Sequence, residues 1–191
     1  MSPTGEKEWR QQALKHYTKN DFITRPWKNG GGTTLELFKL PKPCGDEFLF
    51  RLSVATIERP GPFSKFEGID RHLYLLDGNG VILTFPNQRV VNLTKPREGI
   101  AFAGEDEIFG TPLNGPSKDF NVMFDRRWAK VSTKIIEVAA GDVLELPKMP
   151  WAFLYQPRAE ILTELKNSSF GMRPSEDAFF FLVELEPIVR G

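Results

Sequence analysis

Apolar and polar residues alternate along many short runs of this chain, a period of two that is typical of β-strands with one buried face. The clearest run is FLFRLSVATI at 48–57, in which Arg51, Ser53 and Ala55 share one face. The tetrapeptide DGNG at 77–80 is a strong hairpin signal between two such runs. The pattern predicts strands at 33–40, 48–57, 73–76, 81–85, 90–93, 99–102, 119–124, 132–138, 142–146, 152–155 and 178–185.

Helical patterns are scarce. The candidates are a short helical or loose leader at 1–16 and a stretch at 105–109. Strands spaced ~8–12 residues apart, with turn residues between them, favour an all-β sandwich or barrel. The second half of the chain echoes the first weakly and no linker separates them. We therefore expect the two halves to pack as one unit.

Composition makes several classes of function improbable. The 191 residues hold 25 Lys and Arg against 25 Asp and Glu, and this balance disfavours binding to nucleic acid. Cys44 is the single cysteine, so an internal disulfide or a zinc cluster of several thiolates is excluded. The first residues are polar and lack the apolar core of a signal peptide, and no run approaches the ~18 apolar residues of a membrane span. We expect a cytoplasmic protein that contacts neither nucleic acid nor membrane.

Two segments resemble cupin motifs. AGDVLELPKMPW at 140–151 resembles the second motif, in which Gly-Asp is followed by a Pro and then by a metal-binding His. RHLYLLDGNG at 71–80 resembles the end of the first motif, where a metal-binding Glu stands seven residues before the Gly of a hairpin. Two such segments in one chain imply a bicupin, in which two cupin-like barrels or sandwiches pack together.

Further segments carry a more specific resemblance. They are WKNGGGT at 27–33, RLSVA at 51–55, GPFSKFEGIDR at 61–71 and DFNVM at 119–123, and together they resemble the HutD/Ves family. The resemblance implies a leader at 1–16 and a bicupin domain at 17–191, with halves at roughly 17–115 and 116–191. It also implies a link to histidine utilisation, as a protein that senses or modulates the pathway.

The aligned metal positions carry the wrong chemistry for a metal. A cupin site needs about three imidazoles and a carboxylate, whereas this chain has only His16 and His72. Trp151 stands at the position of the last ligand, and Arg71 stands at the position of the glutamate. We therefore expect no metal and no other cofactor. If Arg71 points inward, His72 points outward, where we expect it to be exposed.

An arginine in place of a glutamate turns a cation site into an anion site, so Arg71 is the predicted anchor of a carboxylate. Arg51 either meets the same ligand or forms an internal salt bridge to Glu36 or Asp70. The glycines after Asn29 either turn the chain or offer N–H groups to an anion. The predicted ligand-binding residues are Trp27, Asn29, Gly30, Gly31, Thr33, Arg51, Ser53, Ser64, Arg71 and Asn121.

Three functions remain open at this point. The first is a metal-free bicupin that binds a small organic anion, which by resemblance belongs to the class of urocanate, N-formylglutamate or formate. In this case no residue is catalytic, and the protein, alone or as a homodimer, senses or modulates. The second is a metal-independent isomerase or hydrolase of such a carboxylate, with Asp70 or Asp119 as acid or base. The third is an interaction scaffold with a vestigial pocket. Asp119 and Asn121 share a strand face that points either inward or to an exposed edge.

Overall fold

A computed structural model describes residues 14–45 and 47–189, and in this part of the chain all the regular structure is β. No helix long and apolar enough to cross a membrane occurs among these residues. The strands are β1 Lys15–Tyr17, β2 Ile23–Pro26, β3 Gly32–Pro41, β4 Phe48–Ile57, β5 Gly61–Pro62, β6 Ile69–Asp77, β7 Val81–Thr84, β8 Val90–Leu93, β9 Gly99–Ala103, β10 Phe109–Pro112, β11 Ser117–Asp125, β12 Ala129–Val138, β13 Leu144–Gln156, β14 Ile161–Met172 and β15 Ala178–Pro187.

These strands form three antiparallel sheets that pack as layers. The central sheet has the order β2-β3-β4-β11-β6-β9, the front sheet β5-β10-β7-β8, and the rear sheet β1-β14-β13-β15-β12. The front and central sheets enclose one apolar core, and the rear sheet bends around a second core of its own. The chain is therefore an all-β bicupin, as the sequence predicts.

Alternation along the central strands explains this layering, because neighbouring residues of a strand face opposite ways. The rear-facing residues of β4 and β11 include Phe50 and Phe120, which are fully buried. Phe50 stacks on Phe153 of the rear sheet, with ring centroids 5.4 Å apart, and Phe120 stacks on Tyr155 at 5.0 Å. A large aromatic core therefore joins the rear sheet to the central one. The opposite, front face of β4 and β11 is free to carry polar residues.

Both helical predictions fail where the structure can test them. Of the leader, residues 1–13 lie outside the described residues, whereas Lys15–Tyr17 forms β1 and pairs with β14. The stretch at 105–109 is a turn that leads into β10, with the amide of Asp106 donating to the carbonyl of Ala103 at 3.0 Å. This turn aligns Phe109 with Thr84 of β7. Strand pairing therefore decides the local structure at both places.

The strands of the C-terminal part differ in two ways from the predicted set. The runs at 142–146 and 152–155 belong to one strand, β13, which continues across two prolines through a shift in register between Leu146 and Met149. Its partner β14 was not predicted. The strand that opens the predicted second half, β11, lies between β4 and β6 of the central sheet. Pairing thus places β11 with the strands that precede it in the chain.

Candidate functional site

A cavity of about 660 Å³ lies over the front face of the central sheet. Its floor comes from β4, β6 and β11, and its walls come from the β2–β3 loop and the segment after β5. The lining residues are Arg25, Pro26, Trp27, Lys28, Asn29, Thr34, Arg51, Ser53, Ala55, Pro62, Phe63, Ser64, Phe66, Arg71, Asp119 and Asn121.

The register of the floor strands brings its polar side chains together. Asn121 of β11 stands opposite Ser53 of β4, and Met123 stands opposite Arg51 on one side and Arg71 on the other. All of these side chains point forward because they share the same alternation. The polar face of β11 is therefore interior, which resolves the choice left open between an inward face and an exposed edge.

Arg71 lies in the floor with little access to solvent, at 9% exposure. Its Nε donates to Oδ1 of Asn121 at 2.8 Å, and its Cζ lies 4.8 Å and 5.3 Å from the ring centroids of Phe63 and Phe102. No carboxylate within the described residues comes within ion-pair distance of Arg71. Burial lowers the pKa of Arg71 to about 10, against the opposing attraction of Asp119, so the guanidinium stays charged at neutral pH.

Asp119 is the buried carboxyl group of the site, at 1% exposure. Its Oδ1 accepts a hydrogen bond from Nδ2 of Asn121, whereas its Oδ2 has no partner among the described residues. Burial raises the pKa of Asp119 to about 6, which the charge of Arg71 and the bond from Asn121 offset only in part. The amide of Asn121 thus points its oxygen at Arg71 and its nitrogen at Asp119, and both contacts fix its orientation.

Arg51 is held in a similar way on the other side of β11. Its Cζ lies 4.9 Å and 5.2 Å from the ring centroids of Phe48 and Phe66, and Nη2 lies 3.1 Å from the sulfur of Met123. The Nε atom is buried without a partner in the described part of the chain. Burial lowers the pKa of Arg51, although Glu36 acts in the opposite direction.

Neither of the salt bridges considered for Arg51 forms in the described structure. Asp70 pairs instead with Arg126, whose Nε lies 2.8 Å from Oδ1 of Asp70. Glu36 raises the pKa of Arg51 but makes no ion pair within 4 Å among the described residues. The guanidinium of Arg51 therefore faces the cavity without a carboxylate in contact.

The glycine segment turns the chain and packs it closely. Gly30 has a φ of 67° and donates to the carbonyl of Trp27 at 3.0 Å, while the amide of Gly31 donates to Oδ1 of Asn29 at 3.0 Å. A Cβ on Gly32 would lie 2.1 Å from the carbonyl oxygen of Thr56, so only glycine fits there. The N–H groups of Gly30 and Gly31 are engaged within the loop, which argues against their use as an anion nest.

Thr34, one residue beyond the predicted Thr33, is the threonine that lines the cavity. Its Oγ1 accepts a hydrogen bond from Nε1 of Trp27 at 2.8 Å, which fixes the indole as a wall. Thr33 points the other way because neighbours on β3 alternate. In the pairing of β2 with β3, Thr34 stands opposite Arg25.

Seven of the ten predicted residues meet at the cavity, and three do not. Gly30, Gly31 and Thr33 are not among its lining residues. The seven that line it are Trp27, Asn29, Arg51, Ser53, Ser64, Arg71 and Asn121. The prediction missed Thr34, the cations Arg25 and Lys28, and the rings of Phe63 and Phe66 in the GPFSKF segment. Counting the alternation of β3 from its first residue, Gly32, would have placed Thr34 on the face towards the cavity. Phe63 and Phe66, which lie close to Ser64 in the sequence, could have been predicted as aromatic walls.

The two histidines lie away from the cavity, at the contacts of the rear sheet. His72 points away from Arg71, but it is half-buried, with Nδ1 3.1 Å from Oγ1 of Thr133 in β12. The expectation of an exposed His72 is therefore wrong, because this face of the central sheet packs on the rear sheet. Nδ1 of His16 lies 2.9 Å from Oγ1 of Thr163.

Trp151, at the position aligned with the last cupin ligand, packs against neighbouring side chains of the protein. Nε1 of Trp151 donates to Oε1 of Glu164 at 3.0 Å, and its ring lies edge-on to Trp128. No group of three or more His, Cys, Asp or Glu side chains in the described ranges is arranged to hold a metal ion.

The charges of the cavity are strongly unbalanced. Its lining contains four cationic side chains, Arg25, Lys28, Arg51 and Arg71, against the single carboxyl of Asp119. Two of the four cations are in the floor, where low solvent access strengthens electrostatic interactions. The fold and the cavity together define a bicupin whose N-terminal sandwich contains a cationic cavity with polar groups on its floor.

The chain belongs to the HutD family, whose profile matches residues 19–181. It is 38% identical over 104 residues to an uncharacterized 21.2 kDa protein in the hutC 3' region of Pseudomonas putida, and 34% identical over 112 residues to protein Ves of Citrobacter koseri. These matches cover 54% and 58% of both chains, so the chain spans just over half the length of these curated relatives. Membership of this family links the chain to histidine utilisation.

Solved structures support the same fold. A conserved protein of unknown function from Pseudomonas aeruginosa PAO1, PA5104, is 25% identical with a TM-score of 0.74, over 91% of this chain and 98% of that one. HutD from Pseudomonas fluorescens SBW25 (formate condition) is 23% identical with a TM-score of 0.73, over 94% of this chain and 100% of that one.

Proposed function

We propose that this protein binds a small organic carboxylate in the cavity and thereby senses or modulates histidine utilisation. The observation that carries the proposal is Arg71, a buried guanidinium that faces the cavity and has no carboxylate in contact within the described structure. A buried charge without a partner is costly, whereas an anionic ligand would supply the partner. Asn121 orients Nε, so that the remaining edge of the guanidinium can receive a carboxylate.

The surroundings of Arg71 favour a small and partly flat ligand. Phe63, Phe66 and Trp27 provide apolar walls, while Ser53 and Ser64 offer hydroxyl groups. Such a mixture of apolar walls and few polar groups is typical of small-molecule sites. The family's link to histidine utilisation makes urocanate, N-formylglutamate and formate the first ligands to test. The solved HutD structure described with a formate condition gives formate an additional reason for inclusion.

A metal-independent enzyme is the second candidate, and Asp119 favours it. A carboxyl group with a pKa of about 6 can exchange a proton near neutral pH, as a general acid or base must. Asp70, the other residue considered for this role, is 41% exposed at its side chain, is paired with Arg126, and does not line the cavity. Incubation with urocanate and N-formylglutamate, followed by product analysis, separates turnover from binding.

The binding proposal is tested by thermal-shift screening with the three carboxylates, and then by calorimetry of the best one with Arg71→Met. Methionine keeps most of the bulk and removes the charge. Loss of one partner of a buried charged pair typically costs ~2–5 kcal/mol, or ~30-fold to several thousand-fold in affinity. Arg89→Met is the matched control, since Arg89 also lies over a phenylalanine ring but not in the cavity.

We expect Arg71→Met to lose binding and Arg89→Met to keep it. Arg71→Lys should also bind poorly, because an ammonium group lacks the planar fork of a guanidinium. A folded Arg71→Met protein that still binds within about twofold of the parent would show that Arg71 has only a structural role.

A further inference from the structure

The cavity floor presents two guanidinium groups, although the anion site proposed above needs only one. Arg51 and Arg71 both stand opposite Met123, on the two sides of β11. Strands lie ≈ 4.8 Å apart, so the two Cα atoms are separated by about 10 Å. Both arginines line the cavity, between the same front and central layers.

Neither guanidinium is neutralised by a carboxylate in contact. In the described ranges no ion pair within 4 Å involves Arg51 or Arg71, and Nε of Arg51 is buried without any acceptor. The two cations also repel each other, since Arg51 contributes to the lowered pKa of Arg71. Asp119 attracts Arg71 and Glu36 attracts Arg51, but burial outweighs both attractions. Two cations that face one cavity with no carboxylate in contact favour a ligand with more than one negative charge.

The two guanidinium groups lie over different aromatic rings. Arg51 lies over Phe48 and Phe66, whereas Arg71 lies over Phe63 and Phe102. Each cation is therefore held by its own pair of rings, and cation–π contacts of this kind stabilise a desolvated guanidinium. We therefore expect each guanidinium to bind a carboxylate of its own.

We propose that the ligand is a short dicarboxylate, with one carboxylate on Arg71 and the second on Arg51. This assignment rests on the proposed carboxylate site at Arg71 and adds a second anion subsite at Arg51. Ser53 stands beside Arg51 on the same strand face, and Asn121 stands opposite it. Both line the cavity, and Asn121 is on β11, the strand between those of Arg51 and Arg71.

Calorimetry with glutarate and with its monoamide, glutaramate, tests the second subsite. The two probes have the same chain and nearly the same shape, but glutaramate lacks one charge. A charge-assisted bidentate pair is roughly twice as strong as a neutral hydrogen bond, so we expect glutarate to bind at least ~10-fold more tightly than glutaramate. In Arg51→Met this preference should disappear while glutaramate binding remains. In Arg71→Met both probes should bind weakly.

The affinities of glutarate and glutaramate are first compared on the unaltered protein, so the dicarboxylate assignment can be tested even if Arg51→Met does not fold. Equal binding of glutarate and glutaramate would overturn the dicarboxylate assignment and leave the single carboxylate site at Arg71 intact. Tighter binding of inorganic phosphate than of glutarate would also overturn it, because it would show that one compact dianion satisfies both cations. Failure of every carboxylate to bind would refute the proposed function together with this assignment.

Discussion

Replacing Asp119 by Asn should make the protein more stable at neutral and alkaline pH. Asp119 has a pKa of about 6 in the folded protein, against an ordinary value of 3.8. The folded state therefore binds the proton more tightly than the unfolded state does. The stability that protonated Asp119 contributes is fully present below pH ~4 and is lost as the pH rises through about 6. The difference of ~2.2 pKa units corresponds to ~3 kcal/mol of unfolding free energy, and no screening discount applies to a side chain that is 1% exposed.

The assay is urea denaturation of the parent and Asp119→Asn from pH 4 to pH 8. Asparagine resembles the neutral carboxyl group in shape, and its oxygen can still accept the hydrogen bond from Asn121. The stability advantage of the variant should grow from ~0.5 kcal/mol at pH 4 to ~3 kcal/mol at pH 8. A constant difference over this range would show that Asp119 titrates as an ordinary carboxyl group and would refute the reasoning.

Asp125 provides a control of opposite sign. It is 4% exposed, and hydrogen bonds from Arg127 lower its pKa to about 2, with Lys42 contributing. Its stabilising effect is present above pH ~4 and is lost as the pH falls through about 2. Asp125→Asn should therefore destabilise the protein by at most ~2 kcal/mol, almost equally at pH 4 and pH 8. The actual loss should be smaller, since the side chain of Arg127 is 64% exposed.

Three further predictions follow from the same geometry. Gly32→Ala should destabilise the protein by ~2–4 kcal/mol in urea denaturation, because the added Cβ would meet the carbonyl oxygen of Thr56. Gly31→Ala should cost clearly less, because only the side chain of Asn29 must move, and equal losses in the two variants would contradict this explanation. Carboxylate affinity should fall as the pH rises through about 6, and a persistent fall in Asp119→Asn would rule out this residue as the cause. Trp27→Phe removes the indole hydrogen bond, so calorimetry should show weaker carboxylate binding with ~1 kcal/mol lower stability; unchanged affinity would show that the wall position is unimportant.

Much of the fold could be predicted from alternation, because burial of one strand face leaves a clear period of two. The predicted runs at 48–57 and 90–93 match β4 and β8 residue for residue. The run at 161–172 escaped prediction because its burial pattern does not alternate regularly, and because its strand depends on pairing with β13 on one side and β1 on the other. The arrangement of the three sheets could not be predicted either, since a period of two shows that one strand face is buried but not which sheet it packs against.

The site was predictable wherever a side chain followed from strand alternation. Arg51, Ser53 and Arg71 face the cavity as their spacing requires. One error came from the loop, where Gly30 and Gly31 use their N–H groups locally, and another from the start of β3, where Thr34 and not Thr33 lines the cavity. A loop's internal hydrogen bonds leave no periodic signal in sequence, so its N–H groups could not be assigned in advance.

The aromatic contacts explain how two arginines can remain unpaired in such a cavity. A carboxylate in direct contact with either guanidinium would neutralise it, but that carboxylate would also compete with any anionic ligand. The rings around Arg51 and Arg71 stabilise the cations through their electron-rich faces, and this contact uses none of the N–H groups as hydrogen-bond donors. Asp119 has a raised pKa of about 6 and hydrogen-bonds to Asn121 instead of pairing directly with Arg71, so its charge competes with an anionic ligand chiefly above pH ~6. A cavity built this way retains two cationic groups for an incoming anion, and the rings offset part of the cost of burying them.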